Sequence, residues 1–119
     1  LVNAHTHNPM TLLRGVADDL PLMQWLQGHI WPIEAEVIGP GFVADGIALA
    51  IAEMLRGGTT CANENYFFPD VQAATYRQHG FRARVGLPVI DFLQLHSCAK
   101  CIDVNVQRTH LRNNSLNHF

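Results

Sequence analysis

Apolar residues along the chain change their spacing several times, and this predicts an alternation of strands and helices. Residues 1–7 form an extended apolar run that is typical of a buried strand. Pro, Gly and Asp residues mark a long connection over residues 8–21. A helical period covers residues 22–30, and Pro32 is expected to end that helix because proline lacks the amide hydrogen.

The middle of the chain predicts a longer helix and a second strand. Apolar residues recur at helical spacing over residues 42–55, and Pro40 suits the first turn of that helix. Gly57 and Gly58 predict a left-handed stop at its carboxyl end. Residues 59–62 are predicted to form the second strand.

The remaining elements complete an α/β pattern. Asp70 is expected to cap a helix over residues 71–79, Gly80 to close it, and residues 82–90 to form a third strand. This order is typical of parallel sheets, as in doubly wound folds and (β/α)8 barrels. A complete barrel needs about 250 residues. The chain could therefore supply only the first two to three βα units, with open strand edges that favour aggregation.

Composition changes near residue 92. All nine Gly, all six Pro and nine of the ten acidic residues lie in residues 1–92. We therefore predict that residues 1–92 belong to the fold and that residues 93–119 are a divergent tail, either irregular and disordered or translated in a shifted frame. Only residues 102–106 of this tail show a short alternation of apolar residues. The chain also begins in mid-strand at Leu1, so we expect sequence upstream of it.

Charge and cysteine content exclude several classes of protein. With 48% hydrophobic and 15% charged residues the chain is of globular type. A formal charge of −2 without a basic block gives no reason to expect nucleic acid or an anionic membrane as partner. No apolar run of about 18 residues predicts a membrane span, and no secretory signal is recognisable. Three cysteines do not make a disulfide framework, which favours a cytoplasmic location.

The most informative feature is the pair of histidines at the end of the first strand. In a strand, residues two apart point to the same face, so His5 and His7 are expected to face one way and Thr6 the other. Two neutral imidazoles on one face can share a divalent ion such as zinc. The carboxyl end of a parallel strand is also the catalytic face of a barrel. Two ligands alone do not complete a catalytic zinc site, which takes at least three.

Several separated motifs carry a resemblance to a known family over residues 1–92. The first 20 residues resemble the first barrel strand and following loop of the amidohydrolase superfamily. Within it, the chain is similar to the branch that includes the 5-methylthioadenosine/S-adenosylhomocysteine deaminases and the triazine chlorohydrolases. Further matches follow in order: Trp25-Leu26, His29-Ile30-Trp31-Pro32-Ile33-Glu34, Glu53-Met54-Leu55-Arg56-Gly57-Gly58-Thr59-Thr60, Tyr66-Phe67-Phe68-Pro69-Asp70 and Gly86-Leu87-Pro88-Val89-Ile90-Asp91.

The resemblance implies a metal-dependent (β/α)8 hydrolase with one divalent metal ion, usually zinc. It implies that His5 and His7 are two of the metal ligands. It also implies that Glu34 accepts hydrogen bonds from the ribose hydroxyls of a small nucleoside substrate, and that Trp25 forms a wall of the substrate pocket. The reaction it implies is the hydrolytic removal of ammonia from an adenosine-type ring by a metal-activated water.

Two alternatives stay open. A triazine chlorohydrolase or a guanine deaminase-like hydrolase would use the same metal, although Glu34 favours a substrate with ribose. A non-catalytic zinc-binding module could instead use His96, Cys98, Cys101 and His110, although their spacing matches no standard finger. No catalytic acid or base is recognisable, so a chain of this length is expected to be inactive alone.

Overall fold

The computed structural model describes residues 1–88 in full and the backbone of residues 100–104. The strands are β1 (Val2–Thr6), β2 (Cys61–Asn65), β3 (Arg82–Leu87) and β4 (Lys100–Val104). The helices are a 3-10 helix (Asn8–Leu13), α1 (Leu22–Trp25), a π-helical turn (Leu26–Ile30), α2 (Trp31–Val37), α3 (Pro40–Arg56) and α4 (Pro69–Gln78).

The described strands form one sheet in the order β1-β2-β3-β4. β1 pairs with β2 and β2 with β3 in parallel, as the alternation of elements predicts. β4 pairs with β3 in antiparallel direction, with Val85 opposite Ile102. The observed structure is thus a small parallel sheet with helices and one antiparallel strand. The last residues of the predicted third strand, beyond Pro88, lie outside the described residues.

The hydrophobic core lies between the sheet and the helices α3 and α4. Its fully buried side chains include Val43 and Ile47 of α3, Tyr76 of α4 and Val85 of β3. On the opposite face of the sheet Asn63, Arg82 and Arg84 are exposed. The helices therefore cover one face of the parallel strands and leave the carboxyl ends of these strands accessible.

The helix that begins at Leu22 does not end at Pro32, contrary to the expectation from sequence. It passes through the π-helical turn, in which the amide of Trp31 bonds the carbonyl of Leu26, and continues as α2 with Pro32 in its first turn. Proline in a regular α-helix clashes with the carbonyl four residues earlier and removes one hydrogen bond. The wider turn absorbs this misfit, as π-helical turns do.

The ends of α3 and α4 are set by glycine and proline. Pro40 opens α3, and Gly58 and Gly80 follow the helices with φ values of +80° and +63°, as predicted. Asp70 is not the N-cap of α4. That position belongs to Phe68, with φ of +56°, while Pro69 and Asp70 lie in the first turn. Proline is favoured at this place because its missing amide hydrogen is not needed there.

The connection after β1 is ordered as the 3-10 helix, which packs closely on α3. A Cβ atom added at Gly46 of α3 would lie 2.5 Å from the Pro9 carbonyl oxygen and 2.7 Å from the Pro9 Cα. Only glycine therefore allows this approach of backbone to backbone. The contact fixes the segment that follows His7.

The predicted tail falls mostly outside the described residues. The strand β4 shows that residues 100–104 are extended, in line with the alternation seen in the sequence. The origin of residues 93–119 and the boundary at residue 92 stay predictions.

Among the described residues no single helix is long and apolar enough to span a membrane. The helical segments Leu22–Val37 and Pro40–Arg56 meet at a bend of 112° and reach the length and apolarity of a membrane span only when they are counted together.

Candidate metal and substrate site

A cavity of about 610 Å³ lies at the carboxyl ends of the three parallel strands. Its wall includes all four of the site residues that the sequence predicts: His5, His7, Trp25 and Glu34. Residues that directly follow β2 and β3, among them Tyr66 and Pro88, complete the wall. The structure therefore brings together residues that are up to 83 positions apart in sequence, from His5 to Pro88.

The two histidine rings share one side of β1. Thr6 between them is buried, whereas His5 and His7 both line the cavity, as the alternation of side chains along a strand requires. Their ring centroids are 4.9 Å apart and the ring planes are nearly perpendicular. Two imidazoles on one tetrahedral zinc ion, at Zn–N distances of about 2.0 Å, have centroids about 5 Å apart. The observed spacing fits a shared ion.

The ring of His7 is oriented by the backbone of β2. Its Nδ1 atom contacts the carbonyl oxygen of Asn65. Because a carbonyl oxygen can only accept, Nδ1 must carry the hydrogen and donate it. In the neutral ring Nε2 then keeps a free electron pair, which is the form of imidazole that binds a metal ion.

Glu34 lies across the cavity on α2 and is half-buried. It follows Leu26 and Ile30 at intervals of four residues, so the helical period places it on the cavity face. The hydroxyl of Tyr66 donates a hydrogen bond to Glu34 Oε1. Burial and the neighbouring carboxylates raise the pKa of Tyr66, so its hydroxyl stays protonated and remains a donor. The second carboxylate oxygen of Glu34 can accept a hydrogen bond from a ligand in the cavity.

Aromatic and aliphatic side chains form the rest of the cavity wall. The indole of Trp25 is held by a hydrogen bond of 2.9 Å from Nε1 to the carbonyl oxygen of Val16. Its ring therefore presents an apolar face while its one donor is satisfied. Other apolar members of the wall are Met10, Leu22, Leu26, Trp31, Phe67 and Leu87. Such a wall suits a flat ring ligand.

A buried carboxylate lies behind the histidine pair. Glu64 of β2 is fully buried and accepts hydrogen bonds from the amides of Asn8 and Asn65 and from the hydroxyl of Tyr76. Burial raises the pKa of Glu64 to about 7, because the loss of water outweighs these donors. No role was predicted for Glu64 from the sequence.

Known proteins resemble this chain in sequence and in structure. The sequence profile described as "Amidohydrolase family" matches residues 1–114. The chain belongs to the amidohydrolase family. The match runs past residue 92 and into the predicted tail.

Two of the similar amidohydrolases are curated proteins named 5-methylthioadenosine/S-adenosylhomocysteine deaminase. The protein of Saccharophagus degradans is 52% identical over 92 residues, which is 77% of this chain and 21% of that protein. The protein of Thermodesulfovibrio yellowstonii is 54% identical over 91 residues, 76% of this chain and 21% of that protein. The chain thus spans about a fifth of the length of these relatives.

A solved structure is also similar. The crystal structure of an adenosine deaminase from Xanthomonas campestris with bound zinc shares 87% sequence identity and superposes with a TM-score of 0.69, covering 70% of this chain and 19% of that one. The part of the amidohydrolase fold described here is therefore close to a protein in which zinc is present.

His5 and His7 can supply part of the ligand set of a metal ion. The spacing of the His5 and His7 rings and the donor role of His7 Nδ1 both suit zinc. Within residues 1–88, whose side chains the structure describes, no third His, Cys, Asp or Glu joins them to make a group of three. A zinc ion bound by His5 and His7 would need further ligands from outside these residues.

Three residues of the site were given no role from the sequence: Tyr66, Asn65 and Glu64. Only one signal pointed to Glu64. It lies two positions after Ala62 in a strand whose alternate residues are buried, so the alternation alone predicts an inward carboxylate. Tyr66 and Asn65 carried no such signal, because their role depends on where β1 and α2 lie in space.

The alternative zinc module lies outside the described side chains. His96, Cys98 and His110 are not described, and Cys101 is described only through the backbone of β4. That alternative stays a prediction.

Proposed function

We propose that this chain supplies the first βα units of a (β/α)8 barrel in a metal-dependent hydrolase that deaminates adenosine-type nucleosides. The observation that carries the proposal is the convergence of His5, His7 and Glu34 on one cavity. Family membership and relatives named as deaminases support it. The parallel sheet, covered by helices on one face only, is what a segment of a barrel would look like.

His5 and His7 would hold the metal ion through ring nitrogens, with His7 Nδ1 committed to the carbonyl of Asn65. When bound, a zinc ion supplies Lewis-acid activation of water at neutral pH. The role of His5 and His7 would be to place the ion at the carboxyl ends of the parallel strands. The backbone bond fixes the tautomer of His7 before any ion arrives, which lowers the cost of binding.

Glu34 and Trp25 would position the nucleoside. A carboxylate can accept two hydrogen bonds from the vicinal hydroxyls of ribose. Tyr66 occupies one lobe of Glu34 Oε1 and so limits how the carboxylate can rotate. The rings of Trp25, Trp31 and Phe67 offer apolar surface for the purine and exclude water around it.

The choice of a nucleoside over a free base rests on Glu34. A guanine deaminase-like or triazine-directed hydrolase would have no ribose for this carboxylate to bind. The cavity places Glu34 at its wall, bonded to Tyr66 rather than turned to solvent. This location favours a substrate that carries hydroxyl groups.

The binding experiment uses the 119-residue chain and 5′-methylthioadenosine as probe. Titration followed by NMR should shift the Trp25 indole signal, and Glu34→Gln should weaken binding at least tenfold. Glu36→Gln is the matched control, since Glu36 lies on the same helix but is exposed. Adenine should bind wild type and Glu34→Gln alike. Equal loss of binding for adenine and for the nucleoside would contradict the assignment of Glu34 to ribose.

The chain alone should release no ammonia from the nucleoside, even with zinc added. A metal site with two protein ligands is incomplete. Ammonia release above a blank that contains zinc but no protein would overturn this prediction of inactivity.

A further inference from the structure

The buried carboxylate of Glu64 accepts hydrogen bonds from two backbone amides and one hydroxyl group. Both of its oxygens accept from the amide of Asn8, at 3.1 and 3.0 Å. Oε1 also accepts from the amide of Asn65 at 3.1 Å, and Oε2 from the hydroxyl of Tyr76 at 2.7 Å. A buried charged group is tolerated only when its acceptor sites are filled in this way.

The two backbone amides that Glu64 binds belong to Asn8 and Asn65, and both of these residues are linked to His7. Asn8 directly follows His7 in the chain. Asn65 supplies the carbonyl oxygen that accepts from His7 Nδ1. One carboxylate therefore ties the backbone on which His7 stands to the backbone that orients its ring.

We propose that Glu64 is a positioning residue for His7. It holds Asn8 and Asn65 so that the His7 ring keeps Nδ1 as donor to the backbone and Nε2 toward the cavity. The role toward a metal ion rests on the proposed function, but the control of ring orientation does not.

The rest of the network anchors Glu64 to the core. Tyr76 of α4 is fully buried and receives a hydrogen bond of 2.5 Å from Asn8 Nδ2 while it donates to Glu64. The carboxylate is thus held from the helix side as well as from the strand. Glutamine at this position would keep the shape but replace one acceptor oxygen by a donor nitrogen, which would face another donor.

The test reads the His7 tautomer directly in the metal-free chain. Long-range ¹H–¹⁵N NMR at about pH 8, where imidazole is neutral, distinguishes a ring protonated at Nδ1 from one protonated at Nε2. In the wild type His7 should be in the Nδ1–H form alone, because Nδ1 donates to the Asn65 carbonyl oxygen. His29 serves as the comparison. Glu64→Gln should give a mixture of tautomers at His7. Glu53→Gln, which changes an exposed carboxylate on α3, should leave His7 unchanged.

A change confined to Glu64→Gln supports the proposal, whereas a pure Nδ1–H form in a folded Glu64→Gln chain overturns it. If Glu64→Gln does not fold, Tyr76→Phe decides, because it keeps Glu64 and removes one anchor. It should then give a smaller fraction of the second tautomer, and an unchanged His7 would overturn the proposal.

Zinc titration separates this inference from the proposed function. Glu64→Gln should weaken zinc binding at His5 and His7 about tenfold or more, as the loss of an outer partner of a ligand does, and Glu53→Gln should not. If the wild type does not bind zinc there but its tautomer still depends on Glu64, the metal proposal fails while the positioning role stands.

Discussion

The two ends of the parallel sheet are built differently. At the amino ends of the strands the contacts are exposed and run to backbone carbonyls: the Leu1 ammonium to Gly58 at 2.9 Å and Arg82 Nε to Thr60 at 3.3 Å. At the carboxyl ends a carboxylate is fully buried under three donor groups, and His7 and Glu34 are each oriented by a further bond.

The difference shows where the fold accepts an energetic cost. Burying a carboxylate is unfavourable and is offset only by well-placed donors. The amino ends of the same strands are held without a buried charge. Costs of this kind, concentrated at one end of a sheet, are typical of functional sites.

The largest expected effect is the pH dependence of stability that Glu64 causes. Its pKa is raised in the fold from 4.5 to about 7, so the folded chain binds the proton more tightly than the unfolded chain. The stabilisation is therefore complete below about pH 4.5 and is lost as pH rises through about 7. The expected loss is about 3 kcal/mol.

Urea unfolding in the presence of a chelator measures this loss. The difference in unfolding free energy between wild type and Glu64→Gln should change across this range by that amount, and Glu53→Gln should follow the wild type. Parallel pH profiles for wild type and Glu64→Gln would show that the two ends of the sheet do not differ in this respect.

The next effect concerns the contact that holds the segment after His7. Gly46→Ala should cost about 2–3 kcal/mol, because the new Cβ would overlap the backbone of Pro9. Gly41→Ala in the same helix meets nothing within 4 Å and should stabilise slightly. Thermal unfolding of both variants checks this, and equal melting temperatures would contradict the close approach.

A smaller effect is expected for Tyr76→Phe. It removes one donor to Glu64 and the acceptor of Asn8 Nδ2 while the ring stays in the core. We expect a loss of about 1–2 kcal/mol in urea unfolding. A variant as stable as the wild type would show that the hydroxyl is not part of the network.

The smallest effect is expected for the exposed ion pair of Arg14 with Glu53, 2.6 Å apart. The side chains are 66% and 42% exposed, and ion pairs in such places are screened by water and salt. Arg14→Gln should leave the urea midpoint unchanged within error at 0.15 M salt. A clear shift would mean that charge pairs matter away from the site as well.

Part of the site followed from spacing alone. The alternation of a strand predicted that His5 and His7 share one side, and both rings line the cavity. Glu34 and Trp25 were expected at the site only from the resemblance, because the helix predicted from the apolar period ended before Glu34. The roles of all four residues stay proposals for the intact protein.

The rest depended on contacts between distant segments. Glu64 can bind the amide of Asn8, the residue after His7, only because β1 and β2 pair in parallel with Thr6 opposite Glu64. The helix beyond Pro32 depended on the π-helical turn, which a period of 3.6 residues does not foresee. Asp70 was misplaced by two positions because Phe68, a bulky residue, takes the left-handed conformation.

The central claim is that His5 and His7 together hold one metal ion, and zinc titration of the ¹⁵N-labelled chain tests it most directly. The ring signals of His5 and His7 should shift together at one equivalent of zinc, and His5→Ala or His7→Ala should each abolish the shift at the other ring. Shifts at other histidines while these two stay unchanged would contradict the account.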